Sequence, residues 1–328
     1  MSKYLFCHLI PCTFASSFSG GDAMKNQPYF WAAFVAFFIW GFFSLALKPI
    51  AHYPSLDILF FRVFMSVGML SLINLGMRRK KGQKDMADFK ALPARDKKQT
   101  ISLTVVGALL LAANWLVFIY VMNHVSVNAA AFAYLVCPIL TTVFAYAFLK
   151  EKLSRIQWLA VSSSAFACVL LSFGHIMEVV YSLVVAATYA LYLVSQRKNN
   201  KADKLWSLNI QLVIVALLLA PFFPILSGPI PTEHIFYICL SFIVVIFTII
   251  PLFLNLYALK GVNSATVGIL IYINPIINFL LAITYFKEEV TSLQLAGYGL
   301  ILFSIVLFNE KALRGNPKVL AWKTMRKR

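Results

Sequence analysis

One basic side chain of this 328-residue protein stands inside an apolar stretch, where a charge is expensive to bury. It is Arg62, whose guanidinium could hold a carboxylate, a nitro group or another anionic group of a small molecule. Snorkelling of the side chain towards water is the competing interpretation. Asp57 lies five residues earlier, a rotation of roughly 140° around a helix, so the two side chains do not share a face. Arg62 is therefore predicted to find its partner elsewhere or to face a binding cavity.

Aromatic rings and carboxamides are the second set of groups that could contact a solute. Aromatic faces with a few amides suit an amphipathic organic molecule better than a bare ion. Packing and hydrogen bonding between helices is the other common use of such residues. The predicted cavity residues besides Arg62 are Trp40, Lys48, Asn114, Trp115, Tyr120, Tyr257, Tyr272 and Asn274, while Tyr189, Tyr192, Asn255 and Asn278 complete the polar and aromatic set. For Lys48, an interfacial anchor is the alternative role.

The composition places these groups in a membrane protein. Hydrophobic residues make up 61% of the chain and charged residues 12%, and the mean hydropathy is +0.80, so the chain needs lipid as its solvent. Continuous apolar runs of about 20 residues favour helices over the shorter alternating strands of a barrel. We predict an all-α polytopic fold with ten transmembrane helices, at residues 28–47, 57–77, 101–121, 125–148, 153–173, 177–196, 205–226, 235–257, 262–286 and 290–309.

The distribution of the net charge of +17 argues against a nucleic-acid partner. With the N-terminus in the cytoplasm, all of the 29 Lys and Arg residues fall on the cytoplasmic side except Lys48, Arg62 and Lys287. The positive-inside rule then predicts that both termini are cytoplasmic and that this face contacts anionic lipids. The localisation that we expect is a bacterial inner membrane. The basic segment 78–99 is interpreted as a solvated loop. For the oligomeric state, both a monomer and a homodimer are open.

The chain nearly repeats itself. Tyr120, Pro138, Glu151 and Gln157 recur with the same spacing as Tyr257, Pro275, Glu288 and Gln294. Each copy holds five predicted spans, and an odd number requires the second copy to be inserted upside down. Two inverted five-helix repeats are the architecture of alternating-access carriers. We predict repeats at residues 24–174 and 175–310, a leader or over-long gene start at 1–23, and a basic cytoplasmic tail at 311–328.

Three prolines interrupt predicted spans. Pro138 and Pro275 lie near the middle of equivalent spans, and Pro251 lies in span 8. Proline removes a backbone donor and frees a carbonyl, which in lipid must find a partner in the protein or in cavity water. We predict hinge or cavity-lining roles for these residues; a simple helix bend is the alternative.

Several segments resemble the EamA-type permeases of the drug/metabolite transporter superfamily, and specifically the RarD-like branch. The resemblance is carried by Phe38-Ile39-Trp40-Gly41 with Lys48, Asp57 and Arg62; Asn114-Trp115-Leu116 and Phe118; Asn123-His124; Pro138, Glu151 and Gln157-Trp158-Leu159-Ala160; Ile250-Pro251-Leu252; and Asn274-Pro275. It implies a central cavity lined mainly by helices 1, 3, 4, 6, 8 and 9. It also implies export of small organic solutes, amino acids or drugs such as chloramphenicol. Phe61 stands where the branch is expected to carry histidine.

Other classes of protein are weaker interpretations. No C-x-x-C pair, phosphate loop or catalytic motif occurs, so we expect no metal, no cofactor and no enzymatic activity. A channel would favour a continuous polar lining, and a lipid-modifying enzyme would need clustered His, Asp or Glu within the spans. Asp57 is the only acid near the predicted cavity mouth and is the candidate for ion coupling. Facilitated transport or exchange is an equally open interpretation, because every other acid also lies at a span end or in a loop.

Overall fold

The computed structural model describes residues 22–124, 127–171, 176–285 and 292–308, and these residues form helices with short connections and no β-strand. The predicted tail lies outside the described residues, as does the predicted leader up to residue 21. The α-helices are α1 Asp22–Gly41, α2 Phe43–Leu47, α3 Ser55–Leu72, α4 Arg79–Ala91, α5 Ala94–His124, α6 Val127–Leu149, α7 Arg155–Leu171, α8 Ile176–Lys198, α9 Lys204–Leu219, α10 Phe223–Leu226, α11 His234–Phe242, α12 Ile250–Gly261, α13 Ser264–Leu270, α14 Ile273–Thr284 and α15 Ser292–Phe308.

Two π-helical segments and two 3₁₀ turns extend or join these helices. The segment Ile73–Met77 continues α3, and Ile243–Ile249 joins α11 to α12 without a break. The 3₁₀ turns are Lys48–Ile50 after α2 and Ala220–Phe222 after α9. A π turn displaces the regular backbone ladder and frees groups for other partners. The π-helical segment Ile243–Ile249 before α12 therefore has backbone groups that can bond to side chains of other helices.

The long apolar helices are those of a membrane protein. Within the described residues, five segments are long and apolar enough to cross a membrane: Ser55–Gly76, Ala94–Phe118, Lys204–Leu226, His234–Gly261 and Ser264–Leu281. Three shorter apolar helical segments accompany them, at Ala133–Leu149, Arg155–Leu171 and Leu295–Phe308. Because backbone groups in lipid must be satisfied within the protein, helices of this length are the expected solution. The prediction of an all-α polytopic protein is confirmed for the described residues.

Two predicted continuous spans are each divided into two helices. The first is interrupted at Phe42, between α1 and α2, and the ninth at residues 271–272, between α13 and α14. At both places the turn is tightened: the Phe42 amide donates to the Ile39 carbonyl (3.0 Å), and the Tyr272 amide donates to the Ile269 carbonyl (3.2 Å). Hydropathy alone does not detect these breaks because both halves of each span are equally apolar.

The basic segment 78–99 was expected to be a loop, and this prediction is wrong over most of its length. It contains α4, whose Arg, Lys, Gln, Met and Ala residues are good helix formers. The helix docks against α9 at Gly82, where a Cβ atom would lie only 2.9 Å from Nε1 of Trp206. Arg78 fixes its start by pairing with both carboxylate oxygens of Asp203, each at 3.2 Å.

Small residues allow the helices to approach closely. A Cβ atom on Gly268 of α13 would lie 2.8 Å from the Thr141 side chain of α6. On α5, a Cβ atom on Gly107 would collide with the Gln196 amide of α8. Since lipid offers no hydrophobic drive between helices, such close backbone contacts contribute strongly to packing in a membrane. They hold helices from the two halves of the sequence against each other.

A buried polar network joins α5, α8 and α9. The Gln211 amide nitrogen donates to the Gln196 carbonyl oxygen (2.8 Å), and the Asn199 amide donates to the Thr104 hydroxyl (3.0 Å). The Tyr192 hydroxyl donates to the Gln211 side-chain oxygen (3.2 Å). Buried amides with partners of this kind lock helices in one register. Tyr192 thus contributes to helix packing.

Candidate functional site

Trp40 connects the end of α1 to the π-helical segment before α12. Its indole nitrogen donates to the carbonyl oxygen of Phe247 at 2.8 Å. That carbonyl belongs to the π turn, where the regular i→i+4 ladder is absent. The Trp40 ring also meets Tyr189 of α8 edge-on, with ring centroids 6.4 Å apart. One aromatic side chain therefore joins an interrupted helix of the first half to an irregular helix of the second.

Arg62 lies beside this cluster, enclosed by aromatic rings. Its guanidinium carbon is 4.9 Å from the ring centroid of Trp115 on α5 and 5.8 Å from that of Phe43 on α2. Nε is buried and has no hydrogen-bond partner. Within the described residues, no carboxylate forms an ion pair with this guanidinium. The guanidinium thus lies against the rings of Trp115 and Phe43, while the residue as a whole is half-buried.

The aromatic cluster continues from α2 into α12. Phe43 and Phe247 have ring centroids 5.8 Å apart, so the ring beside Arg62 also touches the π segment. On the other side, the Asn255 amide nitrogen donates to the Tyr189 hydroxyl at 2.8 Å. The Asn255 side-chain oxygen is buried and accepts no hydrogen bond. We call the seven residues Trp40, Phe43, Arg62, Trp115, Tyr189, Phe247 and Asn255 the aromatic site.

Two predicted cavity residues, Asn114 and Asn274, make hydrogen bonds within the protein. Asn114 is buried, and its amide nitrogen donates to the Val185 carbonyl (2.9 Å) and the Thr188 hydroxyl (3.2 Å), which ties α5 to α8. Asn274 accepts a hydrogen bond from Asn278 of the same helix at 2.8 Å. Tyr272, which is fully buried, occupies the turn between α13 and α14.

Three further candidates have other surroundings. Lys48 is exposed, with its ammonium nitrogen 5.1 Å from the ring centroid of Tyr285, a position that fits an interfacial anchor. Tyr120 is exposed on α5. Tyr257 stacks on Tyr29 with centroids 4.8 Å apart and lines a separate cavity of about 370 Å³. That cavity has a basic lining consisting of Arg78, Lys204 and Lys260, with Asp203, Leu205, Phe253 and Tyr257.

Asp57 is buried at the start of α3, and it is not the partner of Arg62. Its Oδ1 accepts a hydrogen bond from the backbone amide of Gly228 at 3.0 Å. A Cβ atom on Gly228 would lie 3.0 Å from the other carboxylate oxygen, so a side chain at this position would require the Asp57 carboxylate to shift slightly. The candidate coupling acid therefore fastens the loop after α10 to the first half of the chain.

Glu151 makes a contact between the halves that the sequence analysis missed. Its two carboxylate oxygens accept the backbone amides of Ser264 (2.9 Å) and Ala265 (3.1 Å), which are the first two residues of α13. A carboxylate at a helix N-terminus satisfies orphan donors and complements the helix dipole. Asn263 caps the same helix from within the chain, at Thr266. Asn263 signals a helix start in the sequence, but no local pattern identifies a second cap from another part of the chain.

The three predicted hinge prolines lie in different local settings. Pro138 is inside the continuous α6, where its carbonyl accepts the Thr142 hydroxyl at 2.8 Å. Pro251 is the second residue of α12 and follows the π segment directly. Pro275 is the third residue of α14, just after the turn that divides span 9. At the first positions of a helix, proline removes no needed donor.

Comparison with known proteins gives the family. The sequence matches the EamA-like transporter family twice, over residues 27–173 and 176–310. The uncharacterized transporter YojE of Bacillus subtilis is 27% identical over 84% of this chain and 91% of its own length. Protein RarD of Salmonella typhimurium is 27% identical over 89% of this chain and 98% of its own, and protein RarD of Escherichia coli K12 is 25% identical over 89% and 97%. A crystal structure described only as that of a protein has the same fold, with a TM-score of 0.67 at 15% identity over 87% of this chain and 98% of that one.

The chain belongs to the EamA-like transporter family. It is a multi-pass membrane transporter with a RarD-like sequence, and it is not an enzyme. The long apolar helices and the transporter names of its relatives agree on this class. Within the described residues, no group of three His, Cys, Asp or Glu side chains is arranged to hold a metal ion.

Proposed function

We propose that this transporter is a permease that moves small organic solutes by alternating access, between two inverted five-helix repeats in a bacterial inner membrane. The repeated sequence pattern and the two successive family matches support a duplicated unit. An odd number of crossings per unit makes the two copies antiparallel. The positive-inside rule places both termini in the cytoplasm and the basic loops against anionic lipid.

The observation that carries this proposal is a pair of polar contacts joining the halves at opposite ends of the bundle. One is Asp57 to the Gly228 amide, and the other is Glu151 to the α13 N-terminus. Because α3, α5 and α6 cross the bundle in turn, three crossings separate Asp57 from Glu151. Their partners are also separated by an odd number of crossings, since the single crossing His234–Gly261 lies between Gly228 and Ser264. Each contact can open without breaking a covalent or helical element, as alternating access requires.

The aromatic site lies where interrupted helices of both halves meet. Trp40 ends α1, and Phe247 lies in the π segment before Pro251. Irregular backbone in a membrane helix is tolerated where protein or a cavity satisfies the freed groups. A solute bound between these elements would contact both halves at once. The hinge roles of Pro138, Pro251 and Pro275 form part of the same proposal.

Orientation is tested by labelling single cysteines from either side of the membrane. Lys150 and Lys287, the latter outside the described residues, occupy equivalent repeat positions. In a cysteine-free background, Lys150→Cys should react only from the cytoplasm and Lys287→Cys only from outside. Labelling of both from the same side would overturn the inverted repeat.

Mechanism is tested by flux through proteoliposomes. A carrier exchanges solute across the membrane, so an unlabelled solute inside should drive saturable accumulation of the labelled solute. Linear flux without saturation or counterflow would identify a channel instead. The candidate solutes are amino acids and organic drugs, including chloramphenicol.

A further inference from the structure

We infer that the cargo is a small organic anion with a flat or aromatic body, and that Arg62 binds its anionic group. The inference rests on the proposed transport function and names the class of solute. Its starting point is an incomplete set of contacts around one side chain. The Arg62 guanidinium lies over two aromatic rings, has a buried Nε without an acceptor, and makes no ion pair within the described part of the chain.

A guanidinium in this state lacks what normally stabilises it. Buried charges in proteins are paired or hydrogen-bonded, and intramembrane ones are expensive when they are not. Contacts with Trp115 and Phe43 offset part of this cost through the negative potential of the ring faces. Rings do not satisfy the in-plane N–H donors, which require oxygen acceptors. A carboxylate, phosphonate or sulfonate supplies two such oxygens in the geometry of the guanidinium fork.

The neighbours of Arg62 select the body of the solute. Trp115 and Phe43 each contact the guanidinium, and Phe43 also packs on Phe247. Asn255 adds one buried carbonyl oxygen that accepts no hydrogen bond, and it lies across Tyr189 from Trp40. An aromatic or flat aliphatic skeleton packs on the rings, and a hydroxyl or amino group on it can donate to Asn255. Such a site disfavours cations, which Arg62 repels.

A separate cavity carries an excess of basic side chains. The 370 Å³ cavity between α9 and α12 is lined by three basic side chains and one acid. Lys204 is buried there, with its ammonium donating to carbonyls at the end of α8. Clefts lined by one sign of charge raise the local concentration of the opposite ion. An anionic solute would therefore be attracted to this cavity as well as to Arg62.

The test uses three probes that share a ring and differ in charge: benzoate, benzamide and benzylamine. The full-length protein in lipid nanodiscs is titrated with each probe, and the thermal unfolding midpoint is recorded. Benzoate should raise the midpoint saturably, while benzamide and benzylamine should have little effect. Arg62→Gln should weaken benzoate binding by about tenfold or more, and Arg62→Lys should retain part of it. Arg95→Gln, an exposed arginine at the start of α5, is the matched control and should bind like the wild type.

A second variant distinguishes a binding role from a structural one. Arg62→Met removes a charge that makes no ion pair with any described residue and keeps much of the side-chain volume, so the ligand-free protein should unfold at a higher temperature while losing benzoate binding. A structural role predicts a lower unfolding temperature. Equal binding of benzoate and benzamide, unchanged benzoate binding by Arg62→Gln, or no benzoate binding at tens of millimolar would each overturn the inference.

The failure of transport and the failure of this inference give different results. If benzoate binds through Arg62 but no solute shows counterflow, the carrier function fails and the anion site stands. If a neutral solute shows saturable counterflow that Arg62→Gln leaves unchanged, the carrier function stands and the anion site fails.

Discussion

Glu151 and Ser264 are joined across the two halves of the chain by a hydrogen bond of 2.9 Å from the Ser264 backbone amide to the Glu151 carboxylate. The second oxygen of the same carboxylate accepts the Ala265 amide at 3.1 Å. The N-terminus of α13 is therefore completed by a residue that follows α6. This contact links the folding of one helix to the position of the other half.

Glu151→Ala should open this end of the transporter. Loss of the cap should cost about 1 kcal/mol and shift the population towards a state open on the cytoplasmic side. The Ser264 side chain is fully buried and its hydroxyl has no partner, so Ser264→Cys is a mild reporter. Its labelling by a water-soluble thiol reagent should accelerate when Glu151 is Ala.

Lys152→Ala provides the control for this measurement, because it is an exposed neighbour of Glu151. Glu151→Gln keeps one acceptor oxygen and should give an intermediate labelling rate. Equal labelling rates in the wild-type, Glu151→Ala and Lys152→Ala backgrounds would exclude a role for this contact in gating.

Asp57→Asn should separate a structural role from ion coupling. Asparagine keeps an acceptor for the Gly228 amide but loses the charge, so counterflow should continue near the wild-type rate. Asp57→Ala removes the acceptor, so the loop at Gly228 loses its hydrogen bond to α3, and both the unfolding temperature and the flux should fall. Loss of proton-driven uptake in Asp57→Asn, with counterflow intact, would assign coupling to this carboxylate.

Trp40→Phe should impair transport while the helices remain inserted. The ring is preserved, but the Phe247 carbonyl loses its donor, at a cost of about 1–3 kcal/mol if no other donor replaces it. We expect a reduced counterflow rate and a lower unfolding midpoint. Trp158→Phe, on the exposed face of α7, should change neither measurement. Wild-type flux in Trp40→Phe would show that transport does not need the hydrogen bond from the indole to Phe247.

Gly268→Ala should destabilise the packing of α13 on α6. The added methyl would lie 2.8 Å from the Thr141 side chain, and overpacking of this kind costs about 1–3 kcal/mol. Gly299→Ala on α15 has open space within 4 Å and serves as the matched control. Thermal unfolding in nanodiscs should show a lower midpoint for Gly268→Ala only. Identical midpoints would mean that the two helices can separate at little cost.

Sequence periodicity could not reveal whether each proline lies inside a continuous helix or beside a break, nor that residues 79–91 form α4. Pro138 and Pro275 occupy equivalent repeat positions, yet one lies inside a continuous helix and the other just after a break. The difference arises because helix continuity also depends on neighbours, such as the Thr142 hydroxyl that bonds to the Pro138 carbonyl. Likewise α4 is too polar to be detected by hydropathy, and its docking depends on the contact between Gly82 and Trp206.

The amino-acid sequence by itself determined the class of protein, because hydropathy and family motifs are properties of short segments and lipid demands helices from them. It also identified Arg62 as a candidate, since a charge is conspicuous in an apolar run. Trp40 and Trp115 were candidates because aromatic faces suit an organic solute. Only the tertiary structure decided that Arg62 lies over the Trp115 and Phe43 rings with no ion pair among the described residues, and that Asn114 bonds to the backbone of α8. It also decided that Glu151 caps α13. These outcomes depend on contacts between residues far apart in the chain, and such contacts leave no periodic trace in the sequence.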